Sequence, residues 1–366
     1  MMKLLPVTAV VCTKNRYDTT LPLCLLSIAN QTYKPKELLI LDDSDERVKM
    51  DEHHILSMVL RTLDEKFIQW KVVYGNKRGQ GTLHDISRKM AEYEWIWRLD
   101  DDNYAEPNVL EELMKVVDTC KANKTSVGAV AGLVHTPGLI FQENDVASSD
   151  MKNWAMCLHV QWYKYDLNGP RWMFVDHLYS TFVYSKEAGS HGYNLDLSPV
   201  SHTEETQFTY EMRRKGYVLI VTKDALTWHY KQNIGGIRAY KDSWLWEHDS
   251  KLFRNKLINE WKVETSKFKS IILDSGIGDH FAFLSIYPLI REAFPKHQFI
   301  ISCTYPEVFE DLRPEVKVVG LEFGKAMAGD ISSWNIYNFM WQQGWSSHIT
   351  EAYLDLYITK NKGELI

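Results

Sequence analysis

Three consecutive aspartates, Asp100, Asp101 and Asp102, follow directly after the apolar run WIWRL. Adjacent carboxylates repel one another unless a cation or several hydrogen-bond donors offset their charge. One or two carboxylates, together with substrate phosphates, are the usual ligands of Mg²⁺ or Mn²⁺ beside a nucleoside diphosphate. A solvated acidic turn that caps the helix expected from residue 107 would also account for them. The run therefore predicts either a metal and diphosphate site or a capping turn.

Other polar residues can likewise be interpreted either as ligand-binding or catalytic groups or as groups with a structural role only. Asp42 and Asp43 follow the apolar run ELLIL and could accept hydrogen bonds from a nucleobase or a ribose, or cap a helix. Glu204 and Glu205 begin a predicted helix, where a carboxylate can serve as a general base or stabilise the helix N-terminus. His229 follows a predicted strand and is either a metal ligand or an ordinary buried imidazole.

Alternating β and α patterns should bring these residues together. Each predicted strand ends in a polar cluster: TKNR at 13–16, DDSD at 42–45, GNKR at 75–78 and DDD at 100–102. In open α/β sheets the carboxyl ends of the strands border the ligand crevice, so we expect the four clusters to converge. The predicted elements are strands at 6–12, 37–41, 68–74 and 95–99 and helices at 21–30, 48–64 and 81–91.

The chain beyond residue 100 is less regular. Residues 138–170 have no clean period and are interpreted as an insertion or lid. The further predicted elements are helices at 109–120 and 204–215 and strands at 128–134, 172–175, 181–185 and 218–221. The predicted domains are 1–240, a helical connector at 241–268 and a small Rossmann-like α/β domain at 269–366.

Composition excludes several classes of protein. The chain has 366 residues, of which 45% are apolar and 25% charged, which is ordinary globular usage. A formal net charge of -6 disfavours a nucleic-acid partner without excluding it. Five cysteines without a C-x-x-C pair indicate a reducing compartment and no zinc site. No signal peptide and no apolar run of bilayer length is evident, so we expect a cytoplasmic protein.

The order of the motifs closely resembles that of the family 2 glycosyltransferases with a GT-A fold, over about residues 5–232. The matching segments are VTAVVCTKNRYD, NQTYKPKELLILDDSDE, NKRGQG, WIWRLDDDNYAEP, SHTEETQFTYEMRRKGY and WHY. The resemblance implies a mixed, Rossmann-like sheet flanked by helices and a nucleotide-diphosphate sugar as donor. It implies that the donor-binding residues are Thr13, Asn15, Asp42, Asp43, Arg78, Asp100 and Asp101. It also implies that Asp100, Asp102 and His229 hold Mn²⁺ or Mg²⁺.

The resemblance further implies an inverting single displacement. Glu205 occupies the position of the catalytic base, next to Glu204, although the family usually has an aspartate there. The base takes a proton from an acceptor hydroxyl while the metal and Arg78 stabilise the departing diphosphate. A saccharide acceptor is expected to be recognised by the irregular region, whose aromatic side chains either stack on a sugar ring or pack under a loop. The candidates for this stacking are Trp154, Trp162, Tyr163, Tyr165 and Trp172.

The last hundred residues resemble the opening unit of a GT-B amino-terminal domain of the heptosyltransferase type. Gly276, Gly278 and Asp279 form its G-x-G-D turn, which by itself is weak evidence for phosphate binding. The segment is too short for both Rossmann domains of such an enzyme, so we expect an accessory domain without catalysis of its own. The oligomeric state is left open.

Three alternatives to an active enzyme with a saccharide acceptor follow from the same residues. The first is a sugar-nucleotide-binding or scaffold protein without turnover. The second is a nucleotidyltransferase, although TKNRYD lacks the Gly-rich basic loop expected after its first strand. The third is a glycosyltransferase that acts on a modified nucleobase, which the acidic net charge disfavours.

Overall fold

A computed structural model describes residues 3–135, 171–230, 235–236, 243–263, 268–295, 298–312, 316–320, 336–342, 344 and 346–356. The chain divides into two compact units, residues 1–263 and 264–366. The insertion predicted at 138–170, with Trp154, Trp162, Tyr163 and Tyr165, lies outside the described residues. Within the described residues, no helix has the length and apolar character required to cross a membrane.

The first unit is built on a mixed sheet with the strand order β3-β2-β1-β4-β8-β6-β9-β5, and β7 pairs with β9. Its strands are β1 (Lys3–Thr13), β2 (Tyr33–Asp42), β3 (Gln69–Tyr74), β4 (Trp95–Asp100), β5 (Asn103–Ala105), β6 (Val127–His135), β7 (Trp172–Val175), β8 (Phe182–Ser185) and β9 (Val218–His229). Its helices are α1 (Leu21–Ala29), α2 (Leu56–Glu65), α3 (Gln80–Met90), α4 (Val109–Ala122), α5 (Glu204–Arg214) and α6 (Ser243–Asn255), which continues as a π-helical turn at Lys256–Glu260.

Apolar strands bury both faces of this sheet. Residues of β1 alternate between the two faces, so that Val7, Ala9 and Val11 pack with α1, α2 and α4 while Val10 packs with α3 and α5. Helix α4 shows why the helices lie flat on the sheet, because Val109, Leu113 and Val117 form one buried stripe at helical spacing. The sheet therefore has a helical layer on each side, as the GT-A expectation requires.

The register of the central strands aligns the predicted polar clusters. Thr13 of β1 pairs with Asp42 of β2, and Cys12 pairs with Asp100 of β4, in parallel ladders. At the opposite edge, the antiparallel pair β5 and β9 places Asn103 beside His229. The clusters that end β1, β2 and β4 consequently meet at one edge of the sheet.

The segment predicted as a connector packs within the first unit. Phe253, Leu257 and Trp261 form an apolar cluster against Tyr210 of α5. Trp172, the one described member of the predicted stacking aromatics, packs against the core of the sheet and is half-buried.

The second unit contains a parallel sheet in the order β10-β11-β12. Its elements are β10 (Phe268–Leu273), α7 (Ile277–Ala293), β11 (Gln298–Cys303), a 3₁₀ turn at Pro306–Leu312, β12 (Lys317–Gly320), α8 (Ile336–Gln342) and α9 (Ile349–Leu354). A core of its own lies under the sheet and includes Ile271, Phe283, Phe299 and Tyr353. A β-α-β start at this point agrees with the pattern expected from the sequence.

Candidate active site

A cavity of about 310 Å³ opens at the strand ends of the first unit. Of the residues predicted for the site, those lining the cavity are Thr13, Asp43, Asp100, Asp101, Asp102, Glu204, Glu205 and His229. The fold therefore brings together carboxylates from β2, β4 and α5 and an imidazole from β9. Of the other predicted residues, Asn15, Asp42 and Arg78 are not part of this lining.

Each of the three aspartates has different partners. Asp100 accepts hydrogen bonds from the Gln80 amide (3.1 Å) and the Ser180 hydroxyl (2.8 Å). Asp101 accepts a hydrogen bond of 2.7 Å from the Thr13 hydroxyl. Asp102 lies with Oδ1 3.3 Å from Nε2 of His229. The acidic run is thus part of the cavity wall and not a solvated capping turn.

Arg16 offsets much of the repulsion between Asp101 and Asp102. Its Nη1 lies 2.6 Å from Asp101 Oδ1 and 2.8 Å from Asp102 Oδ2, and the residue is only 4% exposed. Burial raises the pKa of Asp101 above its usual range despite this cation. Burial acts in the same direction on Asp102, but the hydrogen bond and charge of His229, together with Arg16, lower its pKa below the usual range.

Asp102 and His229 fit a divalent cation as neighbouring ligands. Their facing atoms are 3.3 Å apart, close to the roughly 3 Å between adjacent ligands around an ion with 2.1 Å bonds. Both side chains also border the cavity, so further ligands have room to complete a coordination shell. His229 Nδ1 is buried with no hydrogen-bond partner among the described residues, and the Asp102 carboxylate faces the other ring nitrogen, Nε2.

A second group of possible ligands, Asp18, His53 and His54, lies outside the cavity lining. It is the only group of three or more His, Cys, Asp or Glu side chains within ligand distance that the described residues contain. His53 Nδ1 accepts weak hydrogen bonds of 3.4 Å from the N–H groups of Ile55 and Leu56. Since an accepting Nδ1 leaves the ring proton on Nε2, facing Asp18, this geometry describes a hydrogen-bonded pair and not a metal centre.

Arg98 distinguishes the two neighbouring glutamates. The guanidinium of Arg98 makes two contacts of 3.0 Å with the carboxylate of Glu204, and both residues are almost fully buried. Glu205 is half-buried and lines the cavity. Burial raises the pKa of Glu205 to about 8, and the charge of Glu204 adds to the rise. Glu205 can therefore exchange a proton near neutral pH, whereas Glu204 is held by a buried cation.

Asp42 and Asp43 order the loops around the cavity. Asp42 accepts hydrogen bonds from the Tyr17 hydroxyl and from the Ser44 N–H. Asp43 accepts 2.6 Å and 3.0 Å hydrogen bonds from the N–H groups of Lys77 and Gly79. Of the two, Asp43 alone lines the cavity, so it is the better placed to meet a nucleotide.

Asn15 and Arg78 lie at the outer part of these loops. Asn15 exchanges hydrogen bonds with Asp45, and its backbone N–H donates to the Ser44 hydroxyl. Arg78 is exposed. The predicted roles of both residues in donor binding stay predictions.

Sequence reasoning missed several residues of the cavity wall: Arg16, Gln80, Tyr179, His202 and Trp246. Arg16 belongs to the TKNR cluster at the end of the first predicted strand, which was a usable signal. Trp246 comes from the segment interpreted as a connector, where no local pattern indicates that its side chain reaches the cavity at the strand ends.

The G-x-G-D turn of the second unit does not present a free helix N-terminus. The Asp279 carboxylate accepts hydrogen bonds from the Gly276 N–H (2.9 Å) and from the Tyr337 hydroxyl. A carboxylate at this position already accepts the Gly276 N–H at the start of α7 and would repel a phosphate.

Comparison with known proteins supports the fold of the first unit. Residues 8–130 match the family model "Glycosyl transferase family 2". The structure is similar to that of GalNAc-T7, solved with UDP, GalNAc and Mn²⁺, at 12% identity and a TM-score of 0.52, covering 93% of this chain and 57% of that one. TarS of S. aureus gives 15% identity and a TM-score of 0.46, covering 70% of this chain and 40% of that one.

The chain thus spans less than two thirds of the length of either structure, and no curated protein matches it. The family match includes β1, β2, β4 and the three aspartates, the same elements that converge on the cavity. The first unit has the GT-A fold, and residues 8–130 within it match the glycosyl transferase family 2 model.

Proposed function

We propose that the protein is an inverting, metal-dependent glycosyltransferase that moves a sugar from a nucleotide-diphosphate sugar to an acceptor hydroxyl. The observation that carries this proposal is the placement of Glu205. Its carboxyl lines the same cavity as Asp102 and His229, and its pKa is raised to about 8 by burial. A base with a pKa near the working pH is suited to removing a proton from a hydroxyl.

In this mechanism Glu205 accepts the proton of the acceptor hydroxyl as that oxygen bonds to the anomeric carbon. The bond from the anomeric carbon to the diphosphate breaks, and the diphosphate leaves with the electron pair. A divalent cation held by Asp102 and His229, with Asp100 beside them, would neutralise charge on the leaving group. Arg98 holds Glu204 in a buried ion pair, and the charge of Glu204 adds to the raised pKa of the proposed base, Glu205.

The acceptor is proposed to be a saccharide. Tyr179 and Trp246 are half-buried aromatic residues in the wall of the cavity that contains Glu205. Aromatic rings offer apolar faces on which the C–H face of a sugar can pack.

The decisive experiment measures sugar transfer and donor binding for matched glutamine variants of α5. Glu205→Gln should keep donor affinity and lose about 10²- to 10⁴-fold in turnover, because it removes only the base. Glu211→Gln lies on the same helix, where Glu211 pairs with Arg214, and it should behave as wild type. Near-wild-type turnover of Glu205→Gln would contradict the proposed base.

The metal and the stereochemistry are tested separately. Asp102→Asn should abolish the dependence of nucleotide-diphosphate binding on Mn²⁺, measured by calorimetry with and without the ion. Retention of the anomeric configuration in the product, determined by NMR, would exclude the single displacement. Donor binding without any transfer would favour a sugar-nucleotide-binding protein instead.

A further inference from the structure

A buried carboxylate on α6 holds the loop that leads into the candidate base. Asp249 has no exposed surface, and its Oδ1 accepts a 2.6 Å hydrogen bond from the Ser198 N–H. Its Oδ2 accepts hydrogen bonds of 2.8 Å from the Ser198 hydroxyl and from the His202 N–H. Three donors on one buried carboxylate make it a strong anchor, since hydrogen bonds to charged groups exceed neutral ones.

The anchored loop has a backbone that needs such support. Ser201 and Thr203 have φ values of 54° and 68°, so two residues other than glycine adopt the left-handed conformation on either side of His202. A residue other than glycine is strained in this conformation and keeps it only where its surroundings enforce it. Thr203 directly precedes α5, so this conformation sets the direction of the chain as it enters the helix at Glu204 and Glu205.

The same loop also contacts the start of α3. The Ser201 hydroxyl accepts a 3.0 Å hydrogen bond from the Gly81 N–H at the start of α3. On the other side, the His202 ring packs at 4.1 Å from the ring of Trp246, one turn before Asp249 on α6. Helix α6 therefore contributes a wall residue and an anchor to a site formed mainly by β-strand ends.

We propose that Asp249 is a positioning residue for the candidate base, acting through Ser198 and His202 on the backbone that precedes Glu205. The inference rests on the proposed function, because it assigns a consequence to the placement of that base. Helix α6 then helps to position the candidate base, and the segment from 243 to 255 does more than connect two domains.

The test compares Asp249→Asn with Phe253→Leu in the full chain. Asparagine keeps the size of the side chain, but its NH₂ group cannot accept, so either Ser198 or His202 loses its acceptor. Phe253 lies one turn further along α6, is fully buried against Trp261, and is not among the residues that bond the loop. Both variants should lower the unfolding midpoint, whereas only the first should release the loop.

Two readouts separate positioning from a merely structural role. In Asp249→Asn the amides of residues 198–205 should exchange about tenfold faster or more with deuterium, as loss of a hydrogen bond to a charged group implies. Its turnover should fall by about 10²-fold, as expected for a displaced base, with the Kd for nucleotide diphosphate unchanged. Phe253→Leu should leave exchange in this loop and turnover at wild-type values.

The two proposals fail in different ways. If the wild-type chain transfers sugar and Asp249→Asn matches Phe253→Leu in both readouts, the positioning role is wrong. If exchange increases in Asp249→Asn but turnover does not change, the anchor is real and its effect on the base is wrong. If the wild-type chain transfers no sugar from any donor tested, the proposed function fails, and with it the catalytic part of this inference.

Discussion

The buried Arg98 gives two adjacent glutamates different chemistry. Its guanidinium is 1% exposed, lies between Phe182 and Tyr193, and contacts Glu204 on both carboxylate oxygens. An uncompensated charge at this depth costs several kcal/mol, so removal of either Arg98 or Glu204 alone should destabilise the fold. Glu205 has no comparable cation among the contacts described, and it keeps the raised pKa that a base requires.

The pKa of Glu205 predicts how activity depends on pH. The base must be ionised, so turnover should rise about tenfold per pH unit well below a pKa of about 8 and level off above it. The measurement is the pH profile of turnover at saturating donor and acceptor. A profile that is flat between pH 6 and 9 would contradict the assignment, and Glu205→Gln should remove the rising limb from the remaining activity.

Stability should depend on pH in the opposite direction. Because the pKa of Glu205 is higher in the folded chain than its ordinary value of 4.5, folding favours the protonated form. The folded state is therefore destabilised progressively as pH rises from about 4.5 to 8, and the full penalty is present above pH 8. The unfolding midpoint of Glu205→Gln should exceed that of wild type by a margin that grows across this range. A margin independent of pH would show that the carboxyl is not shifted.

At the level of elements, the loop that follows β3 and the segment that precedes α5 make a close backbone contact. Gly79 has φ = 86°, and a Cβ there would lie 2.2 Å from the carbonyl oxygen of Pro199. Its N–H also donates to Asp43. One glycine thus lets the loop after β3, the start of α3 and the segment leading to α5 meet without a steric clash.

Gly79→Ala should therefore damage both loops. We expect a loss of more than about 1 kcal/mol in the free energy of unfolding, from strain at positive φ together with the clash at Pro199. Gly216→Ala is the matched control, because Gly216 has φ = 91° with nothing within 4 Å of the added Cβ. Urea unfolding and nucleotide binding are the measurements. Equal losses of stability and unchanged nucleotide binding in both variants would show that the contact with Pro199 is unimportant.

Local sequence patterns predicted most helices and strands of the first unit. They failed where the end of a strand is determined by its pairing with neighbouring strands. Strands such as Trp95–Asp100 and helices such as Val109–Ala122 are found within two residues of the expected bounds, since their apolar residues follow one period. The strand expected at 218–221 extends to His229, because its polar half pairs with β5 and β6. Nothing in that polar half repeats at a strand period, so only the neighbouring strands reveal it.

The candidate site shows the same division between local and long-range information. Strand ends are local features, and they correctly bring Thr13, Asp43 and the three aspartates to one cavity. The partners of these groups are not local: Arg16 with Asp102, Arg98 with Glu204 and Asp249 with Ser198 are each separated by at least 50 residues. No single-sequence pattern specifies such pairs.

At the scale of the whole molecule, the two compact units have separate cores. The apolar cluster of the second unit draws all its residues from 271–356, and the clusters of the first unit lie between residues 5 and 263. Cooperative unfolding follows the extent of a shared core, so each unit should unfold as its own two-state transition. Scanning calorimetry of the full chain should then resolve two transitions, and a fragment ending at Val263 should reproduce one of them.

A nucleotide ligand should shift only one of these transitions. The cavity with Asp102, His229 and Glu205 belongs to the first unit, whereas in the second unit the Asp279 carboxylate occupies the N-terminus of α7. Nucleotide diphosphate with Mn²⁺ at about 100 times its Kd should stabilise the first unit by about 2.7 kcal/mol and leave the midpoint of the second unchanged. Asp102→Asn should abolish the metal-dependent part of this shift without moving the second transition. A ligand-induced shift of the second transition that persists in Asp102→Asn would show that the G-x-G-D turn binds phosphate after all, and that the carboxylate of Asp279 moves aside to admit it.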